Sequence, residues 1–110
     1  MTLPRWMAKS MFCNDLNPAD TGWVLDRIVP DAPGIALEQI PAVRLPPEAG
    51  IGYVKMLRDR AVAPKQADRC IARLDGAVVR EIDAGHNVMI SNPAALVGAI
   101  EDIMLELRRD

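Results

Sequence analysis

The chain has 110 residues, of which 50% are hydrophobic and 25% are charged, and its formal net charge is -2. This length allows one domain at most, with a modest core, and the composition is that of an ordinary globular protein. The balanced charge and the lack of a basic stripe argue against nucleic-acid binding. No apolar run approaches the roughly 18 residues that cross a bilayer, so we expect no membrane partner.

The N-terminal residues and the cysteines indicate a cytoplasmic protein. Residues 1–16 lack the apolar core and the small-residue cleavage site of a signal peptide. Cys13 and Cys70 are too few for a disulfide framework and have no metal-ligand spacing. We therefore expect two structural thiols in a reducing cytosol, with Cys70 in the core, and no metal or other cofactor.

Residues 1–50 are predicted to form helical cover followed by a linker. Aromatic and methionine side chains recur at helical spacing within residues 4–16, which indicates a short helix. Asn17 and Pro18 are typical of a helix start, and this second helix is predicted to stop at Pro30. Residues 30–50 contain five prolines and two glycines, which argues against regular structure there.

Residues 51–110 are predicted to form a β-α-β-α unit. Residues 51–57 and 77–82 are short apolar runs rich in β-branched side chains, typical of buried strands. The helix predicted between them, residues 64–74, begins at a proline and makes the two strands parallel. The last helix, residues 93–107, begins at Asn92-Pro93, and its apolar side chains are Leu96, Val97, Ile100, Ile103, Met104 and Leu107. The fold class is therefore α/β.

Two side chains that could carry chemistry follow the two predicted strands. Asp59 lies in the turn after the first strand, and His86, the single histidine, lies in the turn after the second. Functional groups of open α/β sheets gather beyond the carboxyl ends of the strands. A carboxylate beside an imidazole fixes its tautomer and stabilises the imidazolium, which produces a general base. The alternative is that the two are unrelated surface residues.

The sequence around these two residues resembles the C-terminal part of α/β-hydrolase-fold enzymes, nearest to the small esterase and hydroxynitrile-lyase-like branch. The similarity extends over residues 51–105, and residues 10–30 more loosely resemble the end of the cap over the active site. The family's acid turn reads D-[RK]-x-[IV]-x-P, and the matching positions here are Asp59, Arg60, Val62 and Pro64. Its histidine turn reads G-H-x-x-M-L-S-x-P-x-x-L, and the matching positions are Gly85, His86, Met89, Ile90, Ser91, Pro93 and Leu96. The resemblance implies that Asp59 is the acid and His86 the base of a catalytic triad.

The nucleophile of that family has no counterpart in these residues. The family carries its serine on a Gly-x-Ser-x-Gly elbow upstream of the acid and the histidine, and no such motif occurs in this sequence. The oxyanion-hole segment is missing as well. Lyases of this branch carry a lysine after the histidine, whereas this chain has Asn87, which favours an esterase-type parent. We therefore expect a partial α/β-hydrolase fold that is inactive alone and whose intact parent acts on a small-molecule ester.

A two-stranded sheet is too small to cover the apolar faces predicted on its helices. The first strand would also present an open apolar edge. We therefore expect a homo-oligomer or docking to a complementing N-terminal half. The competing hypothesis is a non-catalytic, truncated paralogue that serves as a dimerising or binding module.

Other side chains have simpler interpretations. A solvated surface explains four scattered aspartates better than a metal site does: Asp15, Asp20, Asp26 and Asp31. A packed face explains five apolar side chains better than a cofactor site does, although in the parent some of them could also wall an acyl pocket: Trp6, Met7, Met11, Phe12 and Trp23.

Overall fold

The computed structural model of the protein describes residues 2–42 and 44–109. The regular elements of this part of the chain are six helices and two strands: α1 (Arg5–Phe12), α2 (Pro18–Leu25), α3 (Pro33–Leu37), β1 (Gly52–Met56), α4 (Pro64–Ala72), β2 (Val78–Ile82), α5 (Val88–Ser91) and α6 (Pro93–Arg108).

Strands β1 and β2 form a parallel pair, with Gly52 opposite Val78 and Met56 opposite Ile82. Helix α4 provides the crossover between them and packs against β1. The predicted β-α-β-α order is therefore confirmed, and the chain is a small α/β unit. Because the strands are parallel, their carboxyl ends and the turns that follow lie at the same edge of the sheet.

Helix α6 covers one face of both strands. Ile103 is buried at this contact, and a Cβ atom at Gly52 would overlap its side chain, so the close approach of helix and strand requires glycine there. Ile82, Ala84 and Val88 form a small core beneath the helix. No helix in the described part of the chain combines the length and apolarity needed to cross a membrane.

Two predictions about secondary structure need correction, and one short helix has no counterpart among the predictions. The second helix ends at Leu25, well short of Pro30, and the linker, which was expected to lack regular structure, contains α3. Pro33 begins α3, where its fixed φ suits a helix and its missing N–H would be unpaired anyway. Helix α5 has only four residues and was not predicted, because a segment this short carries no helical periodicity.

Several residues predicted to be buried are exposed. Trp6 and Trp23 are 71% and 53% exposed. Cys70 is also exposed, although the sequence predicts that it lies in the core. On α6 the predicted apolar side is only half covered, since Val97, Ile100 and Met104 remain exposed. The predicted helical faces are present, but two strands are too narrow to cover them.

The shape of the molecule is correspondingly open. Its accessible surface is 8225 Å², whereas a folded monomeric protein of this size exposes about 6,000 Å². Its radius of gyration is 16.0 Å, against about 13 Å for a compact domain of this length. The unit therefore leaves roughly 2,200 Å² more surface open than a self-sufficient domain would.

Candidate acid–base site

The turns after β1 and β2 bring the two predicted site residues into contact. Asp59 Oδ2 lies 3.0 Å from His86 Nδ1, although the residues are 27 positions apart in sequence. Backbone pairing continues past the strands, because Leu57 N–H donates to Ile82 O and Arg58 N–H donates to Ala84 O. This extension places both turns side by side at the carboxyl edge of the sheet.

The Asp59 carboxylate is buried and fixed in orientation. Its side chain is only 3% exposed, and Oδ1 accepts hydrogen bonds from the backbone N–H groups of Ala61 (2.8 Å) and Val62 (2.9 Å). The other oxygen therefore faces the imidazole. A carboxylate can only accept, so His86 Nδ1 carries the proton in this pair, and Nε2 is the ring nitrogen that remains available for chemistry.

His86 lies at the edge of an open, mainly apolar cleft. Its side chain is 34% exposed, and its ring packs against Phe12 with 5.5 Å between the centroids. The Arg27 guanidinium stacks on Trp23, 4.1 Å from the ring centroid. The cleft has a volume of about 400 Å³ and is lined by Phe12, Trp23, Val24, Arg27, Ile28, His86, Asn87 and Ile90.

A short segment, residues 10–15, which we call the clamp segment, holds the acid turn. Asn14 Nδ2 donates to the carbonyl of Arg58 at 2.7 Å. Arg60 donates to Ser10 Oγ at 3.1 Å. The two residues that flank Asp59 are thus both hydrogen-bonded to the clamp segment.

The same segment holds the histidine turn. Gly85 N–H donates to Asp15 Oδ2 at 2.8 Å, and Asn87 Nδ2 donates to the carbonyl of Phe12 at 3.0 Å. The residues on both sides of His86 are therefore fixed as well. This contact also gives Asn87 a structural role at the position after the histidine.

Asp15 approaches the histidine turn very closely. A Cβ atom at Gly85 would lie 2.5 Å from Asn14 Oδ1 and 2.6 Å from Asp15 Oδ1, so only glycine fits. Those two oxygens and Ser91 Oγ are buried and lack a partner with hydrogen-bond geometry among the described residues. Burial opposes ionisation of Asp15, but the Gly85 N–H, the neighbouring Ser91 hydroxyl, the Asp15 backbone N–H and the Arg58 charge together lower the pKa of the carboxyl.

Asp15 was predicted to lie on a solvated surface, and that prediction is wrong. The contact partners of Asn14 and Asp15 are 44 and 70 positions away, so the sequence alone gave no signal for them. Asp26, by contrast, does lie on the exposed surface, where it pairs with Arg5. Among the described residues, no group of three or more acidic, histidine or cysteine side chains could hold a metal ion.

The serine and cysteine side chains of the described residues are not hydrogen-bonded to the imidazole. In residues 2–42 and 44–109, no serine or cysteine forms a hydrogen bond with His86. Ser10 accepts from Arg60, and Ser91 is buried beside Asp15. Cys13 is buried, and its desolvation and the nearby Asp15 charge raise the pKa of the thiol, which disfavours the reactive thiolate. Within the described part of the chain, the site therefore brings together a carboxylate and an imidazole, with no serine or cysteine hydrogen-bonded to the imidazole.

No protein-family model matches this chain, and no curated protein matches it.

Proposed function

We propose that this chain supplies the acid and base of a serine ester hydrolase built on the α/β-hydrolase fold. The observation that carries the proposal is the hydrogen bond between buried Asp59 and His86 Nδ1, made by the turns after two parallel strands. The matched sequence motifs around both residues support the same family.

In this proposal the serine comes from a Gly-x-Ser-x-Gly elbow outside these 110 residues. His86 Nε2 accepts the proton of the serine hydroxyl while its oxygen attacks the ester carbonyl. The imidazolium then donates that proton to the alkoxide oxygen as the ester C–O bond breaks, so that the alcohol leaves and the acyl group remains on the serine as an acyl-enzyme. A water molecule then attacks the acyl-enzyme, with Nε2 as the base that accepts its proton, and the carboxylic acid product is released. Asp59 stays ionised and holds Nδ1–H throughout.

The cleft beside His86 suits the apolar part of a small ester. Phe12, Trp23 and Ile90 provide apolar walls within reach of the imidazole. The donors that stabilise the oxyanion would come with the nucleophile segment, since the family places them there.

The open surface supports assembly with further protein. An excess of roughly 2,200 Å² is more than one side of a standard interface, which buries about 800 Å² per partner. The proposed partner is a complementing N-terminal half or a second copy of the chain. Sedimentation velocity at micromolar concentration tests self-association: a compact, stable monomer would rule out the second copy.

The proposal is tested first by reading the coding DNA upstream of Met1 in all three frames. A Gly-x-Ser-x-Gly motif after a buried strand would supply the missing half. The joined protein should then hydrolyse p-nitrophenyl acetate and butyrate, and a serine-to-alanine change in the elbow should abolish turnover. Absence of an elbow in every frame would contradict the hydrolase proposal.

The second candidate function is a non-catalytic binding module. The exposure of Val97, Ile100 and Met104 on α6 favours it, because exposed apolar helix faces mark interaction surfaces. His86→Ala separates the two candidates. Loss of activity in the complemented protein supports chemistry, whereas retained activity or a retained phenotype supports the module.

A further inference from the structure

We propose that Asp15 is a positioning residue for the Asp59–His86 pair, and that the clamp segment forms part of the acid–base site. The inference rests on the proposed function in one respect, namely that His86 serves as the base. Its structural content can be tested without any substrate: Asp15 and Asn14 hold the turns whose Asp59–His86 contact fixes the tautomer of His86.

The pair needs such support because its two members come from separate turns. The sheet aligns the backbone as far as Ala84, and the remaining residues of the histidine turn extend past the last strand pairing. A hydrogen bond weakens steeply with distance and misalignment, so small displacements of either turn would break the 3.0 Å contact.

The clamp segment connects both turns at the positions where displacement matters most. It bonds to the residues directly before and after Asp59 and to those directly before and after His86. The clamp segment therefore holds the chain on both sides of Asp59 and on both sides of His86. A surface loop that merely covered the sheet would not need contacts at these four positions.

Asp15 makes a short, partly buried connection to the histidine turn, whereas the bond from Arg60 to Ser10 is longer and exposed. Its acceptor is an ionised carboxylate, and hydrogen bonds to charged acceptors are roughly twice as strong as neutral ones. Its second oxygen lies against Gly85, where a side chain would not fit. Any movement of Asp15 is therefore transmitted to the residue next to His86.

The test follows the tautomer of His86 by long-range ¹H–¹⁵N NMR, in which the single histidine of the chain gives one set of signals. Asp15→Ala removes the acceptor of Gly85 N–H, and Asn14→Ala independently removes the bond to Arg58. Asp15→Asn is the conservative variant, because its amide oxygen can still accept from Gly85. Asp26→Ala is the matched control, since it removes an exposed aspartate that touches neither turn.

We expect Asp15→Ala and Asn14→Ala each to lower the ratio of the Nδ1–H to the Nε2–H form by about fivefold, the factor that corresponds to one hydrogen bond. Asp15→Asn and Asp26→Ala should leave it within about twofold of the parent chain. An unchanged ratio in folded Asp15→Ala, or an equal loss in Asp26→Ala, would overturn the proposal. If Asp15→Ala fails to fold, Asn14→Ala decides, and an unchanged ratio there overturns it. None of these outcomes depends on ester hydrolysis.

Discussion

Replacing Asp59 by asparagine should reverse the tautomer of His86 without removing the turn that holds it. In the parent chain, Oδ1 accepts the N–H groups of Ala61 and Val62, and Oδ2 faces Nδ1. An asparagine amide oxygen can retain the two backbone bonds. Its NH₂ group then occupies the other position and donates to Nδ1, which must become an acceptor.

The size of the change follows from hydrogen-bond strength. A bond to an ionised carboxylate contributes about 1.5–3 kcal/mol, which favours the Nδ1–H form by roughly 10- to 150-fold. In Asp59→Asn a neutral bond of about 1 kcal/mol favours the opposite tautomer by about fivefold. The majority species should therefore change from Nδ1–H to Nε2–H.

Long-range ¹H–¹⁵N spectra at neutral pH measure this ratio directly, and backbone amide shifts of β1 and β2 report whether the sheet is intact. Asp68→Asn is a suitable control, because it neutralises an exposed aspartate of α4 that pairs with Lys55 of β1 and contacts neither turn of the site. A folded Asp59→Asn protein in which His86 remains in the Nδ1–H form would refute the assignment of the pair.

Three further predictions test the surroundings of the site. Gly85→Ala should reduce the free energy of unfolding, measured by urea denaturation, by about 1–3 kcal/mol, because the new methyl group would overlap the side-chain oxygens of Asn14 and Asp15. Equal stability would contradict the close approach of these two side chains to Gly85. Iodoacetamide should label Cys70 well before Cys13, whose thiol is buried and has a raised pKa, and mass spectrometry should find equal rates only after unfolding. Folding lowers the pKa of Asp15, so the ionised carboxylate contributes stability above its ordinary pKa near 4, and this contribution is lost as the pH falls through the lower pKa of the folded state. The difference in free energy of unfolding between the parent chain and Asp15→Ala should therefore shrink in acid. A difference that grows in acid would contradict the lowered pKa.

Local sequence signals were sufficient for the α/β unit. Apolar runs predict β1 and β2, and Asn92-Pro93 predicts the start of α6, because these preferences depend only on residues close together in sequence. The meeting of Asp59 and His86 was also predictable, since parallel strands end at one edge of a sheet.

Local sequence signals do not predict the role of the clamp segment. Asn14 and Asp15 have the composition of an ordinary turn, and their importance arises from partners 44 and 70 positions away. The exposure of Trp6 and Trp23 was missed for a related reason. Helical spacing identifies the face that favours burial, but it does not show whether the chain contains enough sheet to bury it.

We propose that His86 acts as the base of an ester hydrolase whose nucleophile lies outside these residues. The most direct test is the rate of p-nitrophenyl acetate hydrolysis by the protein joined to its Gly-x-Ser-x-Gly segment, compared with the same protein carrying His86→Ala. We predict a loss of kcat of about 10³-fold or more, because the serine would have no base. A rate within about twofold of the parent, with the fold intact, would contradict the claim.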